Sequence, residues 1–292
     1  MGVAAQFPAY GWPRSELRTS FETRARRLSR VSAHLLATWV KGLGGKGLWQ
    51  EEQRQRALAR WAKDTLEIFN VRVCLKGRRS CVERPALIVA NHVSWLDICV
   101  LASVSGARFV AKSEVRSWPL IGSAARRFSS LFHIRGHFRD AARIKDRVSA
   151  ALRSGECVTV FPEGTTTGGL AVWTFYPAML QAAIDASAVV QPVSIRYLSP
   201  DGAPNHAPVF VDDMTLAESI RRVLREREIV AELVMGEPLS PIGRTRRQLA
   251  GLARKFIAES LNVPLVDAPA GALALGTVSY GGAMERLQRA PV

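Results

Sequence analysis

The amino-acid sequence predicts an α/β fold with a mostly parallel central sheet flanked by helices and preceded by an N-terminal amphipathic helical hairpin. From about residue 71 onward, short β-rich runs alternate with helical patterns, which is typical of βαβ units. Runs such as ALIVA at 86–90 are apolar throughout, which indicates strands covered on both faces of the sheet. Ahead of residue 71, apolar residues recur at helical spacing.

Two amphipathic helices are predicted at the N-terminal end, over residues 15–40 and about 50–69. In the first, apolar residues from Leu17 to Trp39 recur every three, four or seven positions, with arginines among them. A glycine-rich break, GLGGKG at 42–47, separates the two helices. The hairpin can pack on the following domain, or lie on anionic lipid with its basic and tryptophan side chains at the interface. The two roles are compatible, because one face can pack while another touches lipid.

The remaining elements follow from hydrophobic period and turn residues. Strands are expected at 71–75, 86–90, 108–111, 131–134, 157–161, 189–195, 208–211 and 229–235. Helices are expected at 94–104, 119–129, 139–153, 175–186, 215–226 and 243–261. The chain is thereby divided into a basic, membrane-associating hairpin over 1–70, an α/β domain over 71–265, and a flexible tail rich in Gly and Ala over 266–292.

The net charge of the chain predicts an anionic partner. The 292 residues include 40 Lys and Arg against 25 Asp and Glu, which gives a formal net charge of +15. Such a surface attracts nucleic acid, an acidic membrane face, or a phosphorylated substrate or carrier. A nucleic-acid-binding protein would explain this charge equally well. However, the sequence has no RRM aromatic motif, no zinc-finger spacing and no basic region followed by heptads, so we expect no nucleic-acid partner.

Cysteine usage and apolar run length predict the location. The four cysteines form no CxxC pair and no zinc-spaced cluster, which fits a reducing, cytosol-facing compartment. No run reaches the roughly 18 to 20 apolar residues that a membrane span needs. The N-terminus also has no signal-peptide core. We therefore expect peripheral or monotopic attachment to the cytoplasmic face of a membrane, without a spanning helix.

The stretch NHVSWLD at 91–97 places two ionisable residues, His92 and Asp97, between two apolar runs. In one interpretation Ser94 caps a helix, Asp97 favours the positive end of that helix, and His92 is incidental. In a continuous helix the His92 and Asp97 side chains would point roughly 140° apart and could not pair. If the helix begins near Ser94, the imidazole can fold back and donate from Nδ1 to Asp97. Nε2 is then a base at the carboxyl edge of the sheet, and this pair is compatible with the cap.

The sequence contains no GxSxG elbow that would supply an enzyme nucleophile. Cys99 is a poor candidate for that role, because it lies in an apolar run with no basic neighbour in sequence. The base is therefore expected to act on a substrate hydroxyl, in acyl or phosphoryl transfer to an alcohol. A hydrolase that uses the same His–Asp pair is an alternative, although the missing elbow argues against it.

A second candidate site is FPEGTTTGG at 161–169, which follows a predicted strand. Its glycines, Gly164, Gly168 and Gly169, allow the backbone to approach an anion closely. As a phosphate loop the signal is weak, because the stretch lacks the GxxxxGK[ST] pattern. The alternative interpretation is a glycine-rich turn in which Glu163 pairs with one of the many arginines.

Taken together, NHVSWLD and FPEGT about 70 residues later resemble the glycerolipid and lysophospholipid acyltransferase family, which includes 1-acyl-sn-glycerol-3-phosphate acyltransferase. Two weaker blocks agree in order and spacing. LFHIRGHFRDA at 131–141 resembles the second motif of the family, with Arg135 in the place of its arginine. VVQPVSI at 189–195 resembles the fourth, an apolar strand with a central proline, here Pro192. The resemblance covers roughly residues 70–215.

The resemblance implies an O-acyltransferase of phospholipid biosynthesis. A fatty acyl group would pass from acyl-CoA or acyl carrier protein (acyl-ACP) to the hydroxyl of a lysolipid acceptor, with no metal and no further cofactor. His92 would be the general base and Asp97 would orient it. The residues implied to hold the polar head of the acceptor are Arg135, Glu163, Gly164 and Thr165.

The sequence departs from the family pattern in two places. Many members have an arginine after FPEGT, where this chain has Thr166 and Thr167. Many also have a Phe-Lys/Arg-x-Gly turn, where this chain has FYPA at 175–178. A threonine hydroxyl carries no charge, and charge-assisted hydrogen bonds are roughly twice as strong as neutral ones. The acceptor therefore stays open between lysophosphatidate and another lysolipid such as a lyso-ornithine lipid. The arginines that could offset the loss are Arg126, Arg127, Arg139 and Arg143.

Overall fold

A computed structural model shows a helical hairpin packed on an α/β domain. Helix α1 (Phe21–Leu43) and helix α2 (Glu51–Phe69) form the hairpin. Helix α2 buries Leu58, Leu66 and Phe69 in the core, so the predicted packing on the domain is observed. None of the described helices is long and apolar enough to cross a bilayer. The structure describes residues 19–43, 50–77, 82–112, 122, 125, 127–128, 130–133, 138–211 and 214–267.

A mostly parallel sheet lies at the centre of the described structure, as predicted. The strands are β1 (Val71–Lys76), β2 (Ala86–Ala90), β3 (Arg108–Lys112), β4 (Leu131–His133), β5 (Cys157–Val160), β6 (Val172–Trp173), β7 (Val189–Leu198), β8 (Ile229–Met235) and β9 (Leu265–Val266). Seven of them form one sheet in the order β1-β8-β7-β2-β5-β3-β4. Its neighbouring strands are parallel except for β7 with β8. Strands β6 and β9 form a separate parallel pair, which was not predicted.

Helices cover both faces of this sheet. The helices that follow the hairpin are α3 (Leu96–Ser105), α4 (Phe138–Arg153), α5 (Gln181–Asp185), α6 (Leu216–Arg225) and α7 (Arg246–Leu261). One apolar cluster joins one face of the sheet to α2, α3 and α6, and the other joins the opposite face to α4, α5 and α7. Strand β2 is buried along its whole length between the two clusters, which explains why ALIVA contains no polar residue.

Several predicted element boundaries require correction. Helix α3 begins two residues later than predicted. Helix α7 begins at Arg246 rather than 243, because Thr245 and Gln248 make a capping box there. The segment 175–186 contains a 3₁₀ turn over Pro177–Leu180 and then the short α5. Most of the predicted helix 119–129 lies outside the described residues. Of its described members, 122, 125 and 127 are helical and 128 is in a turn.

The prediction of a strand at 208–211 was wrong. The Val209 amide donates to the His206 carbonyl at 3.2 Å, which makes a turn, and the Phe210 amide donates to the Val93 carbonyl at 2.9 Å. Pro208 has no amide hydrogen, so it cannot donate to a sheet ladder. This segment therefore bonds to the loop after β2 instead of to a strand.

The outer boundaries of the three predicted parts stay a prediction. The structure places Val266, the first residue of the predicted tail, in β9, and residues 268–292 lie outside the described part of the chain. The two candidate motifs follow β2 and β5, which are adjacent and parallel. Since parallel strands end at the same edge of a sheet, the fold brings both motifs together there.

Candidate active site

His92 and Asp97 form a hydrogen-bonded pair in the turn between β2 and α3. The distance from His92 Nδ1 to Asp97 Oδ2 is 2.8 Å. Asp97 is fully buried, whereas 17% of the His92 side chain is exposed. Helix α3 begins at Leu96, so His92 lies before the helix and folds back onto its first turn. The predicted pairing across a strand-to-helix turn is present.

The Asp97 carboxylate also holds the backbone of this turn. Its Oδ2 accepts from the backbone N–H of Val93 at 2.8 Å and of Ser94 at 2.9 Å. The Ser94 hydroxyl oxygen in turn accepts from the Leu96 backbone N–H at 3.2 Å. The same short turn therefore satisfies the start of the helix and supplies the acceptor for His92. The structural and the catalytic interpretations of this stretch describe one arrangement.

Tyr197 completes the surroundings of Asp97, and the sequence analysis missed it. Its hydroxyl donates to Asp97 Oδ1 at 2.7 Å from the far end of β7. Burial raises the pKa of Tyr197 well above its ordinary value, and the neighbouring Asp97 raises it further. Alternation along β7 puts Tyr197 on the same face as Ile195, in the cluster that includes α3. A buried tyrosine hydroxyl needs a hydrogen-bond partner. The alternation along β7 predicts that Tyr197 is buried, so it could have been identified from the sequence as a residue that contacts a polar group.

With these four donors around it, Asp97 acts as a hydrogen-bond acceptor only. His92 Nδ1 therefore carries a hydrogen, and Nε2 is left with a free lone pair. No hydrogen bond joins Nε2 to the part of the chain that the structure describes. The imidazole also stacks on the ring of Phe161, with ring centroids 3.9 Å apart and 11° between the planes. The His92 imidazole is thus held at one edge by Asp97 and on one face by Phe161.

Glu163 ties the second motif to the first. Its Oε1 accepts from the His92 backbone N–H at 2.9 Å, and its Oε2 accepts from the Trp173 backbone N–H at 3.1 Å. The side chain is buried, and burial raises its pKa to about 8 although both N–H donors oppose that shift. The two oxygens thus bond to backbone, not to an arginine as in the alternative interpretation. The role implied for Glu163 in holding the acceptor head stays a prediction.

The glycine-rich loop lies directly beside His92. The Thr167 backbone N–H donates to the His92 carbonyl at 2.7 Å. Gly164 and Gly169 have φ values of +74° and +75°, which side-chain-bearing residues rarely adopt. A Cβ at Gly169 would also lie 3.2 Å from Val93 Cγ1, so a larger residue would push the two motifs apart. Glycine at position 169 therefore allows the loop to lie close to the turn that carries His92 and Val93.

The remaining candidate residues are placed only in part. Thr165 and Thr166 are half-buried in the loop next to His92. Arg143 is exposed on α4. Arg135 and Arg126 lie outside the described residues, so the acceptor-binding role of Arg135 stays a prediction. The same holds for the other arginines that were expected to offset the missing charge.

Cys99 is excluded as a nucleophile by its surroundings. Burial raises its pKa to about 12, and the nearby Asp97 adds to that effect, so the side chain stays a thiol at neutral pH. Among the described residues, no cluster of three or more His, Cys, Asp or Glu could hold a metal ion. The free edge of the His92 imidazole is chemically suited to accept a proton from a bound hydroxyl.

Comparison with known proteins identifies the family. The model of the family described as Acyltransferase matches residues 71–196. The lyso-ornithine lipid O-acyltransferase of Pseudomonas aeruginosa is 36% identical over 240 residues, which cover 80% of this chain and 90% of that protein. The 1-acyl-sn-glycerol-3-phosphate acyltransferase of Neisseria meningitidis serogroup B is 36% identical over 200 residues, 68% of this chain and 77% of that protein.

A solved structure supports the fold independently. The crystal structure of the 1-acyl-sn-glycerophosphate (LPA) acyltransferase PlsC from Thermotoga maritima superposes with a TM-score of 0.62. It covers 82% of this chain and 94% of that chain, at 20% sequence identity. Likeness at this identity shows a shared fold, while the longer sequence matches show the relationship. This chain belongs to the acyltransferase family.

Proposed function

We propose that this protein is an O-acyltransferase that moves a fatty acyl group from a thioester donor, acyl-CoA or acyl-ACP, to the hydroxyl of a lysolipid. The observation that carries the proposal is the 2.8 Å contact from His92 Nδ1 to Asp97 Oδ2. It leaves Nε2 as a base at the carboxyl edge of the sheet, where open α/β sheets bind ligands. The membership of the chain in the acyltransferase family supports acyl transfer as the reaction in which this base would act.

In the proposed reaction, His92 Nε2 takes the proton of the acceptor hydroxyl while the hydroxyl oxygen attacks the thioester carbonyl. Collapse of the tetrahedral intermediate breaks the C–S bond, and the leaving thiolate takes the proton from the imidazolium. Asp97 holds the tautomer and stabilises the positive charge that forms on the ring. General-base help of this kind is typically worth about 10² to 10⁴ in rate. No cofactor beyond the acyl donor is required.

The oxyanion of the intermediate needs hydrogen-bond donors. The backbone amides of Val93 and Ser94, just before α3, donate to Asp97 and are not available for this role. In the glycine-rich loop, the Gly164 amide donates to Phe161 and the Thr167 amide donates to the His92 carbonyl. We therefore assign the oxyanion donor to the backbone between these two residues, at Thr165.

Two acceptors fit different observations. Thr166 stands where many family members have an arginine, and a neutral hydroxyl there favours a head group without a phosphate. The Pseudomonas aeruginosa relative, which covers most of both chains, is named for a lyso-ornithine lipid. Lysophosphatidate is the second candidate, supported by the name of the Neisseria meningitidis relative. We favour the lyso-ornithine lipid, because its head has no phosphate for an arginine to bind.

The exposed side chains of helix α1 support attachment to an anionic membrane, and we propose that the protein lies on its cytoplasmic face. Its Phe21 side chain is 79% exposed, and further large apolar side chains are exposed along the helix, at Leu28, Leu36, Trp39 and Val40. Arg26 and Arg30 are exposed on the same helix. Apolar side chains that enter the interface, together with basic ones that meet lipid phosphates, hold a helix in the plane of a membrane. Attachment of this kind would bring His92 close to a lipid acceptor in the membrane.

A panel assay tests the proposal. The purified protein is supplied with acyl-CoA or acyl-ACP and, in turn, with lyso-ornithine lipid, lysophosphatidate and lysophosphatidylethanolamine, and the products are identified by mass spectrometry. Acyl transfer to the lyso-ornithine lipid, faster than to the other acceptors, is the expected result. Faster transfer to lysophosphatidate would replace the acceptor but keep the reaction. Hydrolysis of the donor without transfer to any lysolipid would refute the proposal.

A further inference from the structure

A hydrogen bond between Tyr197 and Asp97 joins distant parts of the chain beside His92, and the proposed reaction gives it no role. Tyr197 lies 100 residues after Asp97 and reaches its Oδ1 at 2.7 Å, while His92 and two backbone amides bond to Oδ2. We propose that Tyr197 is a positioning residue for the general base, which it serves through its hydrogen bond to the Asp97 carboxylate. The proposal rests on the proposed function, because it assumes that His92 is the base.

The hydrogen bonds around Asp97 divide unequally between its two oxygens. Oδ2 receives three donors from the catalytic turn, and Oδ1 receives the single donor from β7. Asp97 is fully buried, so without Tyr197 its Oδ1 would lose a partner that water cannot readily replace. The three donors to Oδ2 would stay in place, so Asp97 would still face His92 but with less of its negative charge compensated. The phenol therefore sets how strongly Asp97 holds the imidazole.

The strand that carries Tyr197 is tied to the turn that carries His92. The Asn91 side chain accepts from the Ile195 backbone N–H and donates to the Ile195 carbonyl, both at 2.9 Å. These two hydrogen bonds join Asn91, the first residue of the turn, to β7 at a position two residues before Tyr197.

The phenol should also tune the base. A hydrogen bond donated to a carboxylate stabilises its charged form and reduces its pull on a neighbouring cation. Loss of the phenol hydroxyl would therefore strengthen the hold of Asp97 on the imidazolium, and His92 would keep its proton to higher pH. Burial and Asp97 raise the pKa of Tyr197 well above its ordinary value, so the phenol stays a donor throughout the assay range.

Other ionisable groups that face this cluster must be separated from the effect. Cys99 on α3, with a pKa near 12 through burial, stays neutral. Arg254 on α7 lies behind Glu163, where its guanidinium donates to the Trp173 carbonyl at 2.8 Å. Burial raises the pKa of Glu163 to about 8, so this carboxyl titrates within the assay range. The measurement is therefore repeated in a Glu163→Gln background, which removes that titration.

The test is the pH dependence of kcat/KM for acyl transfer to the best acceptor of the panel. In Tyr197→Phe the acidic limb is expected to move to higher pH by about 0.5 to 1 unit, with activity at the limb down by roughly 3- to 10-fold. Incorporation of 3-fluorotyrosine at position 197 keeps the ring and strengthens the donor. It should move the limb in the opposite direction. A matched control is Ser149→Ala, which removes a buried hydroxyl that bonds the Ala182 carbonyl on the other side of the sheet.

The outcomes separate the positioning role from the base itself. Opposite shifts in the two Tyr197 variants, with none in Ser149→Ala, support the positioning role. An unchanged limb in both would overturn it while leaving the base assignment intact. A loss of activity that is equal at every pH and tracks a lowered unfolding temperature, as in Ser149→Ala, would also overturn it. Full activity in His92→Ala, assayed in the same series, would overturn the base assignment and the positioning role together.

Discussion

The carboxylate of Glu163 accepts a hydrogen bond from the backbone N–H of His92, at 2.9 Å. The acidic residue of the glycine-rich loop thus holds the main chain of His92. Its second oxygen accepts from the Trp173 amide, so the side chain spans the ends of β2 and β6. The two motifs form one structural unit, and a change in either is expected to affect the other.

This contact predicts how stability depends on pH. Burial raises the pKa of Glu163 to about 8, above the ordinary value of 4.5. A raised carboxyl pKa means that the folded state holds a proton that the unfolded state releases. Its contribution to stability is therefore fully present below about pH 4.5 and is lost as pH rises through 8, by up to about 1.4 kcal/mol per pH unit.

Urea unfolding at pH 5, 6.5 and 8 measures this loss. Glu163→Gln keeps a carbonyl acceptor, has no proton to release, and is expected to flatten the pH dependence of the unfolding free energy. The control is Asp185→Asn. Asp185 is exposed, and its hydrogen bond with the Lys145 ammonium lowers the pKa of its carboxyl group. Its contribution should change only at acidic pH. The same slope in Glu163→Gln as in the wild type would contradict the prediction.

Stacking on Phe161 predicts a loss of turnover when the ring is removed. The His92 imidazole lies 3.9 Å from this ring, measured between centroids, and the ring limits the tilt of the base. Phe161→Leu should lower kcat for acyl transfer by about 10-fold, because misplacement of a catalytic group by a fraction of an ångström slows the chemical step. The KM for the lysolipid should change little. The measurement is steady-state kinetics on the best acceptor of the panel.

Phe109→Leu is the matched control for this prediction. Phe109 stacks on Phe161 with centroids 6.4 Å apart, but no stacking contact joins it to His92 among the described residues. Both substitutions remove buried aromatic surface and should lower the unfolding free energy, by about 1 to 3 kcal/mol. An equal fall in kcat in the two variants would show that the stacking on His92 has no specific effect.

The threonine after the FPEGT motif predicts a switch in acceptor. Thr166→Arg places a cation where many family members have one, and a charge-assisted bond to phosphate is worth about 1.5 to 3 kcal/mol. We expect kcat/KM for lysophosphatidate to rise by about 10-fold relative to lyso-ornithine lipid. Leu170→Arg adds the same charge to a half-exposed position four residues further on and should leave the ratio unchanged. An unchanged ratio in Thr166→Arg would contradict this explanation of the acceptor.

The hydrogen bond between His92 and Asp97 could be predicted from sequence because its determinants are local. His92 and Asp97 are five residues apart, and one turn decides whether they can pair. The mostly parallel sheet was also predictable, because β2 is apolar throughout and short β-rich runs alternate with helical patterns along the chain. The strand predicted at 208–211 failed because Val93, which is distant in sequence, provides the partner for that backbone.

The supporting residues could not be predicted in the same way. Tyr197, Phe161 and Glu163 contact the pair through strand order and register, which a single sequence does not specify. Glu163 was expected to face the acceptor, since an acid in a glycine-rich loop is typical of a binding site. In the structure, its nearest donors are two backbone amides. Hydrophobic period predicts which face of a strand is buried, but not which polar group it meets there.

The activity of His92→Ala tests the central claim most directly. The variant is assayed for acyl transfer to the best acceptor alongside Asp97→Asn, with far-ultraviolet circular dichroism and urea unfolding to show that both are folded. The predicted result is a fall in kcat of about 10² to 10⁴ for His92→Ala and a fall of similar order for Asp97→Asn, in proteins that unfold cooperatively. Near wild-type transfer by folded His92→Ala would contradict the assignment of His92 as the base.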